Sequence, residues 1–327
     1  MRAAAILIAV SCLLPMAAKA QPAAAPADCK LVKIDSLDMD VSDKALMIPT
    51  TINGKPMKLR LNLEASMSAL TQATALNLDL SLRSLSNIMS FMAGQDNVQV
   101  LNYADVPQFQ LGHLPAQKFR VAVLPPKANI DVAGEISGGT LSVYDYDLDV
   151  AHGKMGLFLP NHCPGQVVYW TRDTPGKVPF NARQMYDSND PGFMRGTMTL
   201  DDKPVRVAFR ATGPSYMGAG ALYRVFGIST SDPRLVPSNQ EAAGVKLDPP
   251  YDKVWSFSFK ALSADGLTIT NPQVYVLDQD PRYFSCRDDA HCYGGADLTL
   301  GLPVLSKLHI FVSNKEKMLY LTAADAH

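Results

Sequence analysis

The stretch Lys55-Pro56-Met57-Lys58-Leu59 returns in the second half of the chain as Lys203-Pro204-Val205-Arg206-Val207. Each copy runs into a turn of small residues and a short helix-like stretch, at residues 68–78 and 217–227. A supersecondary plan that occurs twice predicts two related lobes, which would meet across a cleft. We therefore expect the functional site where the lobes meet.

Turn residues define the strands around each copy. Asn53-Gly54 precedes the first copy and supplies the positive φ angles that a two-residue hairpin requires. Asp201-Asp202 occupies the same place before the second copy. Most of the remaining chain consists of short alternating stretches broken by Gly, Pro, Asn and Asp, which predicts an all-β protein with few helices.

A second pair of matching phrases lies near the end of each lobe. Leu141-Ser142 followed by Lys154-Met155 is echoed by Leu305-Ser306 followed by Lys317-Met318. These matching phrases define the predicted boundaries of the lobes. The predicted units are an N-terminal lobe at 29–166, a connector at 167–195 and a C-terminal lobe at 196–327.

Composition limits the classes of partner. The chain has 327 residues, 47% of them hydrophobic, which is enough for two cores. Thirty basic and thirty-one acidic side chains nearly cancel, and no basic block is present. This balance argues against nucleic acid or an anionic membrane as the main partner.

The first twenty residues are typical of a signal peptide. Met1-Arg2 is a short basic start, Ala3 to Leu14 is apolar, and Ala18-Lys19-Ala20 is a small-x-small cleavage site. Residues 21–28 are then a flexible mature N-terminus, and the predicted destination is the periplasm. A lipoprotein site at Cys12 is the alternative, although Ala9 stands where a bulky aliphatic residue would be expected. No later segment is long and apolar enough to cross a bilayer.

Export leaves four cysteines in an oxidising compartment, with three possible pairings. We favour Cys286 with Cys292, which can close a small loop, and therefore Cys29 with Cys163. Zinc bound by Cys286, His291 and Cys292 is the alternative. Adjacent His291 and Cys292 cannot easily point at one ion, so no metal site and no cofactor are predicted.

The strand, turn and helix after each Lys-Pro phrase resemble the retropepsin-like and pepsin-like aspartic proteases, particularly the exported two-lobed bacterial members. In that family the strand ends in Asp-Thr-Gly-Ala, and a later apolar-apolar-Gly motif packs beneath the turn. The later motif is well kept at 299–305 and worn down at 135–141, and the stretches 144–149 and 162–165 are also similar to the family. The resemblance covers roughly residues 44–322 and implies an acid-protease-like fold of two β-barrel lobes with short helices.

The resemblance fails at the two catalytic positions. Asn62 stands at the place of the first catalytic aspartate and Arg210 at the second, while a one-residue shift would put Ala211 there instead. Such proteases need two carboxylates that share one proton. An amide cannot act as a general base, and a guanidinium stays charged at every useful pH. We therefore predict a pseudo-protease without the water-activating pair.

The neighbouring motif positions have changed as well. Leu63 and Ala211 stand at the family's Thr positions, so an apolar contact could replace the polar grip between the lobes. Glu64 stands at a Gly position, and we predict that it approaches Arg210 across the pseudo-twofold axis. The alternative is that one or both side chains point into solvent.

Other candidate sites are weaker. The stretch Phe91 to Asn97, with Gly94, is a plausible flap-like hairpin tip over the cleft. Asp145, Asp147 and Asp149 share one face of a strand, which we interpret as solvated rather than as a calcium site. The six histidines are scattered, and we expect them at solvated or turn positions.

The sequence thus favours a binding protein that holds an extended peptide or protein segment in the cleft by strand-like pairing. One alternative is an aspartic-type endopeptidase that uses a displaced carboxylate such as Glu64. A second is a purely structural envelope protein whose lobes are closed on each other, with no open groove between Asn62 and Arg210. The sequence gives no basis for an oligomeric state.

Overall fold

The structure is a computed structural model that describes residues 29–42, 44–85, 91–93, 98–126, 131–181, 194–245, 252–278 and 296–325. It is mostly β, as the sequence predicted. The elements of the first half are β1 Lys33–Asp38, β2 Asp40–Val41, β3 Leu46–Ile52, β4 Lys55–Asn62, β5 Ala69–Thr71, α1 Gln72–Asn77, β6 Leu82–Ser84, β7 Phe91–Ala93, β8 Val98–Val100, β9 Asn102–Leu111, β10 Gln117–Leu124, β11 Gly134–Ser137, α2 Gly138–Leu141, β12 Asp145–Asp149 and β13 Lys154–Phe158.

The second half repeats this succession of short strands and short helices. Its elements are β14 Gly176–Asn181, β15 Arg195–Leu200, β16 Lys203–Phe209, β17 Tyr216–Gly218, α3 Ala219–Phe226, β18 Val236–Ser238, β19 Val254–Ser258, β20 Ala261–Ala264, β21 Leu267–Thr270, β22 Gln273–Leu277, β23 Leu298–Leu300, α4 Leu302–Leu305, β24 Leu308–Ser313 and β25 Met318–Ala323.

Both predicted hairpins are present. Strands β3 and β4 meet at the pair Ile52↔Lys55, and β15 and β16 meet at Leu200↔Lys203. Asn53 and Gly54 have φ angles of 49° and 76°, the left-handed values that this turn requires. The inward side chains alternate along β3, where Leu46, Ile48 and Ile52 are fully buried, so the hairpin closes over a core.

The first half forms a six-strand barrel. Its strands follow the order β3-β4-β11-β5-β10-β9, and β9 pairs back with β3 to close the ring. Within it β11 is parallel to β4 and antiparallel to β5, which is in turn parallel to β10. Closure leaves few free edges and buries the apolar side of every strand.

The second half repeats the central part of this topology. Strand β23 is parallel to β16 and antiparallel to β17, and β17 is parallel to β22. The hydrogen bonds repeat too, because buried Ser68 Oγ accepts from the Ser137 amide and buried Ser215 Oγ accepts from the Gly301 amide, both at 2.9 Å. We call residues 44–141 and 195–305, which share this plan, the first and second repeat.

A further sheet joins the repeats in the order β1-β13-β12-β24-β25-β14. At its centre β12 and β24 are antiparallel, and Asp147 pairs with Phe311. These two residues follow Leu141-Ser142 and Leu305-Ser306 at the same interval, so an approximate twofold axis passes through this pair. Strand β14 lies in the segment we interpreted as a connector, and it pairs with β25 on one side and β15 on the other, so the joining sheet continues into the second repeat.

A disulfide links Cys29 to Cys163, with Cα atoms 5.0 Å apart, as we predicted. The bond fixes the start of the described chain beside the end of β13. Cys286 and Cys292 lie outside the described residues, as do the predicted signal peptide and residues 21–28. None of the described helices has the length and apolar character needed to cross a membrane.

The predicted solvated face of β12 is wrong. Asp145 and Asp147 are buried, and so are His162 and His309, two of the histidines we expected at solvated or turn positions. The segment after Cys163 covers this face of the joining sheet, so the acids need partners inside the protein. His162 Nε2 lies 2.6 Å from Asp145 Oδ2.

Asp147 is held in the same way on the twofold axis. Its Oδ2 accepts from the Tyr169 hydroxyl at 2.5 Å and lies 3.3 Å from His309 Nε2, and the Trp170 ring stacks on His309. Burial alone would raise the pKa of Asp147, but the hydrogen bonds from His309 and Tyr169 outweigh it and hold the pKa below its ordinary value. This polar layer fixes the joining sheet that positions both midline turns.

Candidate functional site

The two turns that end β4 and β16 converge where the repeats meet. Asn62 is the last residue of β4 and pairs with Ser137, while the Arg210 amide, one residue beyond β16, donates to the Leu300 carbonyl at 2.9 Å. Asn62 and Arg210 therefore hold equivalent places in the two repeats. The second turn is one residue shorter, since Ser68 comes six positions after Asn62 and Ser215 comes five after Arg210.

The repeats contact each other through backbone next to these turns. The Leu46 amide donates to the Ala211 carbonyl at 3.2 Å, and the Gly213 amide donates to the Lys44 carbonyl at 3.1 Å. The side chains of Leu63 and Ala211 are both buried in the main apolar core. The link that sequence reasoning missed is thus a short antiparallel bridge between the start of β3 and the second turn, centred on Ala45 and Thr212.

An internally paired network fills the first-repeat side of the midline. Arg60 donates to Glu135 Oε1 from Nε at 3.0 Å and from Nη2 at 2.6 Å, and the Asn62 amide group donates to Glu135 Oε2 at 2.8 Å. Asn62 Oδ1 in turn accepts from the Glu64 backbone amide at 3.0 Å. Both oxygens of Glu135 and both ends of the Asn62 amide are therefore engaged within one repeat.

Glu64 and Arg210 lie together across the midline. Arg210 Nε is 3.6 Å from Glu64 Oε2, close enough for an ion pair and too long for a hydrogen bond. Their side chains are 25% and 18% exposed respectively, so the pair is reachable from solvent. The guanidinium also faces the aromatic ring of Tyr216, with its central carbon 5.6 Å from the ring centre.

The charges around Glu64 oppose one another. Burial raises the pKa of Glu64 above its ordinary value, and the negative Glu135 adds to the rise, while Arg210 and Arg195 act in the opposite direction. Burial also raises the pKa of Tyr216, helped by the charge of Glu64, so this hydroxyl stays protonated and can donate. The site is a desolvated cluster of mixed charge.

Sequence reasoning identified Asn62, Glu64 and Arg210, and the structure brings these residues together. It missed Arg60, Glu135, Arg195 and Tyr216. Arg60 could have been found, because it lies two positions before Asn62 on the same strand and so shares its face. Gly94, at the predicted flap-like tip, lies outside the described residues, although β7 and β8 on either side of it are paired.

No protein-family model matches the chain, and no curated protein resembles it significantly. Function has therefore to be argued from the site itself.

Proposed function

We propose that this is an exported pseudo-protease of the acid-protease-like, two-lobed type, which binds an extended peptide or protein segment between its repeats without cleaving it. The repeated strand topology and the approximate twofold axis support the fold assignment. The disulfide between Cys29 and Cys163 is compatible with export.

One observation carries the loss of hydrolysis. The equivalent midline positions hold Asn62 and Arg210, and within the described residues both glutamates at the midline face an arginine: Glu135 is bonded to Arg60, and Glu64 lies against Arg210. General-base activation of water requires a carboxylate that can take up a proton while a second one donates. Carboxylates matched with guanidinium groups are ill suited to exchanging a proton in this way.

The endopeptidase alternative has a specific observation in its favour. Glu64 has a raised pKa and lies near Glu135, so two carboxylates are present at the midline. Against it, both Glu135 oxygens already accept hydrogen bonds from Arg60 and Asn62. A peptidase built on Glu64 would have to work without the paired acid.

The test is exposure of the purified mature protein, immobilised, to a random peptide library at pH 3 to 7, with mass spectrometry of the retained and released peptides. We expect retained peptides of unchanged length, and the same set on a Tyr223→Ala control, whose side chain is on the surface. Shortened peptides that pepstatin or Glu64→Gln suppresses would establish the endopeptidase. Retention of nothing at any pH would favour the purely structural envelope protein.

A further inference from the structure

The two arginine–glutamate pairs at the midline differ in quality. Arg60 donates two hydrogen bonds to one oxygen of Glu135, from Nε at 3.0 Å and from Nη2 at 2.6 Å. Arg210 meets Glu64 with a single approach at 3.6 Å, beyond hydrogen-bonding range. The first pair is hydrogen-bonded, whereas the second is an approximate charge match in which Glu64 lies beyond hydrogen-bonding distance of the guanidinium, beside Tyr216.

A guanidinium has five N–H donors in a planar fork, which fits a carboxylate through two parallel hydrogen bonds. Glu64 cannot offer Arg210 this geometry from its place in the turn. A carboxylate brought by a ligand is free of that restraint, and with Arg210 18% exposed it has access. Such a ligand can make the charge-assisted hydrogen bonds to Arg210 that Glu64 does not make at 3.6 Å.

The charged contacts at the midline direct an added anion to Arg210 rather than to Arg60. Arg60, Arg195 and Arg210 surround the midline, against Glu64 and Glu135 within it. Asp131 adds only a contact at 3.8 Å to Arg60 from a side chain that is 87% exposed, so its charge is well screened. Arg60 is held by Glu135, so Arg210 is the guanidinium whose carboxylate partner a ligand can replace.

We propose that Arg210 anchors a carboxylate of the bound peptide, and that Glu64 is the internal carboxylate that the ligand displaces. This inference rests on the proposed peptide-binding function and names its specificity: a peptide that presents a carboxylate, either at its C-terminus or on an Asp or Glu side chain.

Displacement implies a pH dependence. The charged groups facing Glu64 are Arg210 and Arg195, which favour its ionised form, and Glu135, which opposes it, with the Tyr216 ring and hydroxyl alongside. As pH falls through the raised pKa of Glu64, this side chain becomes neutral and stops competing for Arg210. Affinity for the ligand carboxylate therefore rises as pH is lowered, until the ligand's own carboxyl protonates at about pH 4.

The experiment uses fluorescence anisotropy with labelled peptides taken from the retained set. One arm compares a free C-terminal carboxylate with its amide, and the other compares internal Asp or Glu with Asn or Gln, so that the two sources of carboxylate are distinguished. We expect one of these changes to weaken binding by about tenfold, the scale of a lost charge-assisted hydrogen bond.

The variants sharpen the result. Arg210→Gln should weaken carboxylate peptides by about tenfold and leave their amide counterparts unchanged. Glu64→Gln should tighten carboxylate peptides and flatten the pH dependence. Arg234→Gln, which removes a surface arginine paired with Asp232, is the matched control and should change nothing. If Arg210→Gln does not fold, Arg210→Lys keeps the charge but not the fork and should lose most of the discrimination.

Peptides that bind with equal affinity as acid and amide, in the parent protein and in both midline variants, would overturn this inference while leaving the proposed function standing. Competition by inorganic phosphate as strong as by the carboxylate peptide would also overturn it, since the site would then take any anion. If no peptide binds at all, the proposed function itself is contradicted.

Discussion

The first-repeat turn at 62–68 and the second-repeat turn at 210–215 solve the same packing problem with glycines at different places. In the second repeat a Cβ on Gly301 would overlap the Gly213 carbonyl oxygen, while the equivalent Ser137 of the first repeat has a Cβ without difficulty. In the first repeat the crowded position is Gly139, where a Cβ would overlap the Ser66 carbonyl oxygen, and its counterpart is Pro303. The position at which backbone leaves no space for a Cβ therefore lies two residues later in the first repeat, whose turn is one residue longer.

The same comparison separates the backbone plan, which the two repeats share, from the midline side chains, which they do not. The serine-to-amide hydrogen bonds and the parallel strand pairings are the same in both repeats, whereas the side chains at the midline are not. Arg60, Asn62 and Glu135 of the first repeat correspond to Ala208, Arg210 and Thr299 of the second. The backbone plan therefore tolerates a change of charge at all three matched positions, of which only Arg210 is charged in the second repeat.

The largest expected effect comes from a substitution that removes the charge network of the first repeat. Glu135→Ala leaves Arg60 without its close partner at a largely buried site, and we expect a loss of about 3–5 kcal/mol in the free energy of unfolding. Thr299→Ala, the matched change in the second repeat, should cost about 1 kcal/mol, as for a neutral hydrogen bond. Urea denaturation of both variants checks this, and equal losses would contradict the asymmetry.

Gly301 and its first-repeat counterpart Ser137 differ in the space available for a Cβ atom. Gly301→Ala forces a Cβ against backbone, which cannot move aside as a side chain can, and should cost about 3 kcal/mol. Ser137→Ala removes the hydroxyl that accepts from the Thr140 amide and donates to Thr140 Oγ1, and it should cost about 1 kcal/mol. Thermal unfolding measures both, and a mild Gly301→Ala would mean that the shorter turn is not held against this glycine.

A smaller effect should distinguish the two repeated serines. Ser68→Ala and Ser215→Ala each leave a buried amide without its acceptor, at about 1–3 kcal/mol. Ser68 also lies 2.7 Å from the Thr140 hydroxyl, so its loss should be the costlier by up to about 1 kcal/mol. Denaturant midpoints of the two variants, compared at unchanged m values, provide the measurement. A costlier Ser215→Ala would reverse the order.

The smallest expected effect is the pH dependence of stability at Glu64. Because its pKa is raised in the folded state, the folded protein binds this proton more tightly than the unfolded chain does. Glu64 thus lowers stability as pH rises from its ordinary pKa through the raised value. Glu64→Gln should match the parent near pH 4 and exceed it at pH 7 by up to about 1 kcal/mol. The test is to measure the melting temperatures of the parent and of Glu64→Gln across this pH range. A constant difference between the two proteins would exclude a contribution from the titration of Glu64.

Local chemistry explains what the sequence could predict. Asn53-Gly54 fixes a hairpin by its own backbone preferences, and the repeated Lys-Pro phrase then locates the second one. The approach of Glu64 to Arg210 followed from their places in the two motif turns, which meet at one interface, where an unpaired charge would be costly. In each case the information lies within a few residues or in a match between two short stretches.

The errors arose where a distant segment decides the environment. Alternation along β12 shows that Asp145 and Asp147 share a face, but only the segment after Cys163 determines that this face is covered. Burial of His309 follows from the same cover, since Trp170 stacks on it, whereas His162 is buried against Asp145 and Ser313. The bond between Arg60 and Glu135 joins residues far apart in the chain, and a parallel pairing of β4 with β11 brings them together.

The pairing of Asp147 with Phe311 on the twofold axis has a consequence for how the halves could diverge. If each half were a separate subunit of a symmetric pair, every substitution would be present twice, and an arginine facing the axis would confront its own copy. Joined in one polypeptide, the halves vary independently. A cation contributed by one half can thus meet an acid contributed by the other.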